Sequence, residues 1–251
     1  MATPLIEVDR ISKRFGSTTA VNAISFSVLP GEIFGFLGPN GAGKTTTIKM
    51  LTGLVRPTSG RAKLAGFDIV RQPLQAKRVF GYVPDEPHVY AKLTAREFLD
   101  FVGDVYGISP AKKVRRIAEL LELFDLGHDA DGLLGSFSHG MKQKVMLCSA
   151  LLHEPQIYFL DEPTVGLDPR TARLLKNILR SIAAGGGAIF MSTHIMEIAQ
   201  ALCDRIAIID RGNIVAIGTV DELRGRGHDS LEDVFLGLTG TPEERRLAQI
   251  I

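Results

Sequence analysis

Residues 38–46 read Gly-Pro-Asn-Gly-Ala-Gly-Lys-Thr-Thr, and this stretch decides the fold. It fits the pattern G-x-x-x-x-G-K-[ST] of a phosphate-binding loop. Its glycines let the backbone N–H groups face a polyphosphate, while Lys44 offers a positive charge and Thr45 a hydroxyl for Mg²⁺. We therefore predict that the loop binds a nucleoside triphosphate together with Mg²⁺. The predicted contact residues are Gly38, Pro39, Asn40, Gly41, Ala42, Gly43, Lys44, Thr45 and Thr46.

The sequence on either side of this loop supports the prediction. The apolar run 33–37 is typical of a buried strand that enters the loop, and residues 45–54 are typical of a helix that leaves it. A loop at such a junction directs the N–H groups and the positive dipole end of the helix toward phosphates. The alternative is a glycine-rich turn with an incidental lysine, which the flanking strand and helix disfavour.

A second apolar run, residues 157–160, ends in two acids, Asp161 and Glu162. Ligands of parallel α/β sheets lie at the carboxyl ends of the strands, so both carboxylates are expected to face the phosphate loop. Asp161 is then suited to hold Mg²⁺ through water, and Glu162 to polarise an attacking water. Without the phosphate loop, the same acids would indicate only a strand that ends at the surface.

Composition excludes several other classes of function. The chain has 251 residues, a net charge of +1 and no long run of like charges, so no nucleic-acid partner is expected. No apolar stretch approaches the ~20 residues that cross a bilayer, so any membrane component is expected to come from a partner. Cys148 and Cys203 each lie among apolar residues and are expected to be reduced core residues.

The pattern of apolar residues predicts an α/β fold in one domain. Strand-like runs occupy the first 85 residues and resume after residue 155, whereas residues 86–154 have helical spacing. The prediction is a phosphate-loop NTPase core with a parallel-sheet centre, a small antiparallel β-subdomain in the N-terminal part and an inserted helical subdomain. The predicted bounds are 1–85 and 155–220 for the core, 86–154 for the helical subdomain and 221–251 for a helical tail.

Further motifs, taken in order, resemble one family. Ser138-His139-Gly140-Met141-Lys142-Gln143 precedes the acidic strand, residues 161–169 read Asp-Glu-Pro-Thr-Val-Gly-Leu-Asp-Pro, and residues 192–194 read Ser-Thr-His. This set resembles the nucleotide-binding domain of ATP-binding cassette (ABC) transporters over residues 5 to about 220. The segment 231–240 also resembles the tail of bacterial exporter-type cassettes.

The resemblance implies roles for further residues. Ser138 and the backbone at Gly140 match the signature motif, which caps the terminal phosphate of ATP held by the opposite subunit. Asp168 matches the loop that couples the two sites, and His194 matches the histidine that contacts the terminal phosphate. Phe15 matches the aromatic residue that stacks on adenine, although it can equally pack the small β-subdomain as a hairpin residue. Ser138 can also serve as an ordinary helix N-cap, and the two readings are compatible.

Two departures from the family pattern stand out. The signature motif has His139 where glycine is usual and Met141 where glutamine is usual, which affects the fine geometry of the cap. Asp85 follows the strand at 79–83, where the family usually has a glutamine that reaches toward Mg²⁺ and the attacking water. We expect Asp85 to coordinate Mg²⁺ through water. The alternative is that Asp85 is an exposed loop acid without a role.

The resemblance implies an ATPase that powers a separately encoded membrane permease, with export as the expected direction. The protein would lie at the cytoplasmic face of the membrane, and its helices at 86–154 would dock on the permease. A second cassette is the other expected partner, so that two chains enclose two ATP molecules. The alternatives are a soluble ABC-type ATPase acting on ribosomes or DNA, and a regulatory cassette that binds ATP without turnover.

Overall fold

The computed structural model describes residues 2–224 and 231–239. Strands and helices alternate along most of the chain. The elements up to the sixth strand are β1 (Ile6–Phe15), β2 (Thr18–Val28), β3 (Ile33–Leu37), α1 (Lys44–Leu51), β4 (Ser59–Leu64), β5 (Phe67–Asp68), α2 (Pro73–Arg78) and β6 (Phe80–Val83). The elements that follow are α3 (Ala95–Val105), α4 (Pro110–Leu123), α5 (His139–Leu152), β7 (Ile157–Asp161), α6 (Pro169–Ala184), β8 (Ala188–Thr193), α7 (Met196–Leu202), β9 (Arg205–Asp210), β10 (Asn213–Gly218), α8 (Val220–Arg224) and α9 (Leu231–Thr239).

The larger sheet has the strand order β10-β9-β3-β8-β7-β6, and all its neighbours are parallel except the terminal pair β10 and β9. The predicted parallel-sheet centre is confirmed. Register aligns the carboxyl ends of the central strands: Leu37 of β3 lies beside Thr193 of β8, and Asp161 of β7 lies beside Ser192. The phosphate loop and the acidic strand end therefore meet at one edge of the sheet.

The smaller sheet is antiparallel, with the order β2-β1-β4-β5, and confirms the predicted β-subdomain. Its first strand continues well beyond the run 5–9 that the apolar pattern marks. Pairing with β2 carries β1 to Phe15, with register shifts on both sides of Ile11 that keep this side chain fully buried. Such irregularities are invisible to a strict alternation of apolar and polar residues.

Aromatic rings fill the space between the two sheets. Phe26 of β2 stacks on Phe34 of β3 with ring centroids 5.3 Å apart and on Phe190 of β8 at 5.5 Å. Phe36 and Phe159 extend the cluster and are also fully buried. Burial of each such side chain contributes about 1.5–3 kcal/mol, so this cluster fixes the small sheet over the parallel one.

The helical segment packs on the other face of the parallel sheet. Helix α3 begins with a capping box, in which Thr94 Oγ1 accepts from Glu97 N and Glu97 Oε2 accepts from Thr94 N. Buried residues of α3, α4 and α5 belong to the same hydrophobic cluster as side chains of the sheet. The helical subdomain is thus joined to the core by shared packing.

The C-terminal segment is helical where the structure describes it. Leu231 and Val234 of α9 are buried and belong to the hydrophobic cluster that α3, α4 and α5 share with the parallel sheet. Residues 225–230 and 240–251 of the predicted tail lie outside the described residues. Both cysteines are free and buried, as expected. Across residues 2–224 and 231–239, the helices lack the combination of length and hydropathy that a bilayer span requires.

Candidate active site

The phosphate loop connects β3 to α1, and Gly43 shapes it. Gly43 has φ 111°, in the region that favours glycine, and a Cβ atom there would lie 2.6 Å from the carbonyl oxygen of Ala20. Gly43 is also the N-cap of α1 and offers no side chain to cap it. The first N–H groups of the helix are therefore left for an external anion.

Lys44 is buried at the start of α1 and points back into the loop. Its Nζ donates to Gly38 O at 2.7 Å and to Pro39 O at 3.2 Å, and it lies 3.8 Å from Glu162 Oε1. Burial lowers the pKa of Lys44, while the negative charges of Glu162, Asp161 and Asp85 act in the opposite direction. The ammonium is thus held by loop carbonyls and a nearby carboxylate, beside the space in which phosphates would bind.

Asp161 ends β7 almost fully buried. The Ser192 hydroxyl donates to Oδ1, and the Thr45 hydroxyl also acts to lower the pKa of this carboxyl. Burial nevertheless raises the pKa of Asp161. Within the described part of the chain, Oδ2 has no hydrogen-bond partner. A buried carboxylate oxygen beside a hydroxyl matches the oxygen ligands that Mg²⁺ prefers.

Glu162 follows in an unusual backbone conformation, with φ 50°, which costs a non-glycine residue about 1–3 kcal/mol. Its N–H donates to Ser192 O at 3.1 Å, which fixes the turn against β8. Its side chain is buried, and Oε1 lies 2.9 Å from His194 Nδ1, whereas Oε2 has no partner among the described residues. The carboxylate is therefore oriented by His194 and retains one oxygen for a water molecule.

A cavity with a volume of about 170 Å³ lies at the phosphate loop and is lined by Lys44 and Glu162, whereas Asp161 and His194 are not part of its lining. Asp85 is exposed at its rim and acts electrostatically on both Lys44 and Asp161. Most of the predicted loop residues line it, and Ala20 of β2 is an addition that the sequence did not indicate. The lining residues are Ala20, Pro39, Asn40, Gly41, Gly43, Lys44, Thr45, Thr46, Asp85 and Glu162.

Five predicted ATP contacts lie outside this lining: Gly38 and Ala42 within the loop itself, and three residues elsewhere in the chain. Phe15 is at the β1–β2 hairpin, is 52% exposed and has Lys13 Nζ 4.9 Å from its ring centroid. Ser138 is the N-cap of α5, where Oγ accepts from Met141 N at 3.3 Å, which confirms its role as a helix N-cap, whereas its contact with a phosphate stays a prediction. Gly140, one residue further into α5, packs against the backbone of Gly166.

Two further residues form hydrogen bonds in the segments that carry the site residues. Asp168 is the N-cap of α6 and accepts hydrogen bonds from the N–H and hydroxyl of Thr171, which lower its pKa to about 2. Ser192 was not among the predicted site residues, yet it holds both Asp161 and the backbone of Glu162. Its position in the strand end that leads to His194 was the only signal the sequence offered.

Comparison with known proteins agrees with this geometry. The family model described as ABC transporter matches residues 21–165. The linearmycin resistance ATP-binding protein LnrL of Bacillus subtilis (strain 168) is 41% identical over 228 residues, which cover 90% of this chain and 73% of that protein. The Nod factor export ATP-binding protein I of Paraburkholderia xenovorans (strain LB400) is 40% identical, with coverage of 89% and 73%.

A solved structure extends the comparison to three dimensions. The ATP-binding subunit of an ABC transporter superposes with a TM-score of 0.88 and is 37% identical. The superposition covers 93% of this chain and 99% of that one. The similarity therefore includes the helical segment as well as the two sheets.

Proposed function

This chain belongs to the ABC transporter family of ATP-binding proteins, and from that premise we propose that it hydrolyses ATP to drive a separately encoded membrane permease. The observation that carries the proposal is the position of Glu162 Oε1, 3.8 Å from Lys44 Nζ and 2.9 Å from His194 Nδ1. A phosphate-binding cation, a candidate base and its orienting histidine thus share one site.

The phosphate loop would bind the triphosphate with its backbone N–H groups and the α1 dipole. Lys44 is already desolvated, and its Nζ lies within the loop at Gly38 O, so its charge would act on bound phosphates more strongly than it would in water. Phe15, exposed at the hairpin, is available to stack on the adenine ring. The chain would therefore bind ATP mainly through its phosphates, with Phe15 contributing the base contact.

Hydrolysis would depend on Glu162. Its unpaired Oε2 can accept a hydrogen bond from a water molecule and align it with the terminal phosphorus, while His194 holds Oε1 in place. In this family's reaction, positioning and charge stabilisation supply most of the rate enhancement. The strained backbone of Glu162 fits this role, because strain of this kind collects where a side chain must be aimed.

The acids and hydroxyl around Thr45 fit a resident Mg²⁺. The Thr45 hydroxyl and Asp161 Oδ2 would hold the ion, with Asp85 at the cavity rim contributing through water. When bound, Mg²⁺ supplies charge neutralisation between the terminal phosphates. Asp161 must be ionised to contribute, which Ser192 and Thr45 favour against the effect of burial.

A second cassette is expected to complete each site. Ser138 and Gly140 stand apart from this chain's own phosphate cavity, at the N-terminus of α5, where a hydroxyl and N–H groups can cap a phosphate. Asp168 lies next to the same helix, since Lys144 Nζ of α5 is 3.8 Å from Asp168 Oδ2. These groups would serve the ATP held by the other chain in a head-to-tail pair.

The permease is expected to dock on the helical segment, at the cytoplasmic face of the membrane. Tyr90 is 60% exposed and Phe101 is 48% exposed, and together with Leu93 they form an apolar surface next to the segment that carries Asp85. The two relatives described above are a linearmycin resistance ATP-binding protein and a Nod factor export ATP-binding protein, which supports export as the direction of transport.

The test is ATP turnover by the purified chain with its permease. We expect Mg²⁺-dependent phosphate release, which Glu162→Gln reduces at least about a hundredfold while ATP affinity stays within threefold. Glu197→Gln, at an exposed acid of α7, is the matched control and should turn over normally. ATP binding without any phosphate release from the wild type would overturn the proposal and indicate a regulatory cassette.

A further inference from the structure

Gln143 in α5 is fully buried, and neither its amide nitrogen nor its amide oxygen has a hydrogen-bond partner within the described residues. A buried amide left without partners loses its hydrogen bonds to water without replacement, and an apolar side chain of similar size would avoid that cost. The catalytic roles assigned above do not use Gln143. Its position therefore requires an explanation from what surrounds it.

Helical geometry places the Gln143 side chain on the face of α5 that packs against the parallel sheet. Ala150 lies seven residues along, two turns of helix, and its backbone contacts Gly81 of β6. The opposite face points away from the sheet: Cys148 Sγ lies 3.6 Å from Leu120 O of α4, and Leu152 lies beside Gly103 of α3.

The same contacts fix the level of Gln143 along the sheet. Helix α5 runs antiparallel to β6, since His153 Nε2 lies 3.0 Å from Phe80 O while Ala150 contacts the next residue of the strand. Two turns of helix span about 10 Å, and three to four strand residues cover the same distance. Gln143 therefore lies level with 84–85, where β6 gives way to the segment of Asp85.

A second segment of the active site approaches from the other side. Gly140, one turn before Gln143, is so close to Gly166 that a Cβ atom would lie 2.7 Å from its carbonyl oxygen. Gly166 belongs to the loop that follows Glu162. Gln143 is thus located where the segments after β6 and β7 converge, and each of these segments contributes an acid to the phosphate cavity.

We propose that Gln143 is a positioning residue that links the signature helix to these two segments. The side-chain amide of Gln143 has two N–H donors on its nitrogen and one acceptor oxygen. These groups can form hydrogen bonds with the backbone of residues 84–86 when ATP draws that segment toward the phosphates. The hydrogen bonds form in the ATP-bound state and set the position of Asp85 relative to Glu162. This proposal rests on the proposed function, since it concerns ATP turnover.

The test compares Gln143→Met, an apolar replacement of similar size, with Leu147→Met in the next turn as control. We expect Gln143→Met to lower kcat about tenfold with KM for ATP within twofold, and to leave the melting temperature of the nucleotide-free protein equal or higher. In the Glu162→Gln background, ATP should slow amide hydrogen exchange at Asp85, Glu86 and His88, and Gln143→Met should remove that slowing.

Unchanged kcat in Gln143→Met would overturn the inference, and so would a lower melting temperature with normal kcat, which would indicate a purely structural hydrogen bond. Should Gln143→Met fail to fold, Gln143→Asn is measured in the same way, because the shortened amide cannot span the same gap. Wild-type protein without phosphate release would instead contradict the proposed function, so the two failures are distinguishable.

Discussion

At the scale of single residues, Lys44 is the side chain on which nucleotide binding most depends. Its buried ammonium is the loop's own cation, and Lys44→Ala should reduce ATP affinity at least about a hundredfold, measured by calorimetry. Lys49→Ala, at an exposed lysine of the same helix, is the matched control and should bind normally. Micromolar affinity retained by Lys44→Ala would mean that the nucleotide lies elsewhere.

Asp85 is the residue at which this chain leaves the family pattern. Its charge acts on Lys44 and Asp161 across the cavity, so it favours a bound cation and opposes a bare triphosphate. Asp85→Asn should raise the Mg²⁺ concentration needed for half-maximal ATP turnover several-fold, without weakening ATP binding in the absence of metal. Asp85→Gln should be less impaired, because the longer side chain restores the reach that the family usually has.

The outcome that would contradict a role for Asp85 is simple to recognise. If both variants match the wild type in Mg²⁺ dependence and in permease-coupled transport, Asp85 is an exposed loop acid. Glu86→Gln, at the neighbouring exposed acid, provides the control for a general loss of negative charge.

Among the secondary-structure elements, α3 and α4 are joined by ion pairs of one buried lysine, Lys113 of α4. Lys113 Nζ lies 2.8 Å from Asp100 Oδ1 and 2.5 Å from Asp104 Oδ1, and its side chain crosses α3 at Gly103. A Cβ atom at Gly103 would lie 2.5 Å from Lys113 Cδ. The packing of α3 against α4 thus requires glycine at position 103, because the aliphatic part of the Lys113 side chain passes over it and the ammonium is held by two carboxylates.

This packing predicts that Gly→Ala at position 103 destabilises the protein, although the same substitution usually stabilises a helix. In an unhindered helix, Gly→Ala stabilises by about 1 kcal/mol, whereas Gly103→Ala should lower the melting temperature because Lys113 cannot move aside without losing its carboxylate partners. In a Lys113→Ala background, Gly103→Ala should become neutral or stabilising. A melting temperature raised by Gly103→Ala alone would show that the stem of Lys113 adapts freely.

At the scale of the whole molecule, the separation of Ser138 from the chain's own phosphate cavity predicts assembly. In Glu162→Gln, ATP that is bound but not hydrolysed should hold two chains together, because each phosphate-loop site would be capped by the partner's α5 in the proposed arrangement. Light scattering should give twice the monomer mass with ATP and Mg²⁺, and the monomer mass with ADP.

Adding Lys44→Ala to Glu162→Gln should abolish this ATP-dependent dimer, since no nucleotide is left between the chains. A Glu162→Gln protein that stays monomeric with saturating ATP, together with normal phosphate release, would contradict both the catalytic glutamate and the paired arrangement.

The sequence predicted the fold class correctly, because an α/β fold depends on local patterns of apolar residues, whereas the roles of the site residues stay predictions. Strand β3 matches the apolar run 33–37 that precedes the phosphate loop. The short helix α2 was missed, since six residues that begin with proline carry too little periodicity to be recognised. The full length of β1 was missed because its irregular pairing interrupts the alternation.

By itself, the sequence determined that this chain has a phosphate loop, a strand ending in two acids and a family of motifs in a fixed order. These are properties of contiguous residues, whose spacing is set by backbone geometry. The tertiary structure alone decided which groups meet. Ser192 holds Asp161 because β7 and β8 pair in register, and His194 reaches Glu162 because two strand ends share one sheet edge. Gln143 is buried beside the segments of the site for the same reason. Contacts between residues that are far apart in the sequence arise from tertiary packing, which no single stretch of sequence determines.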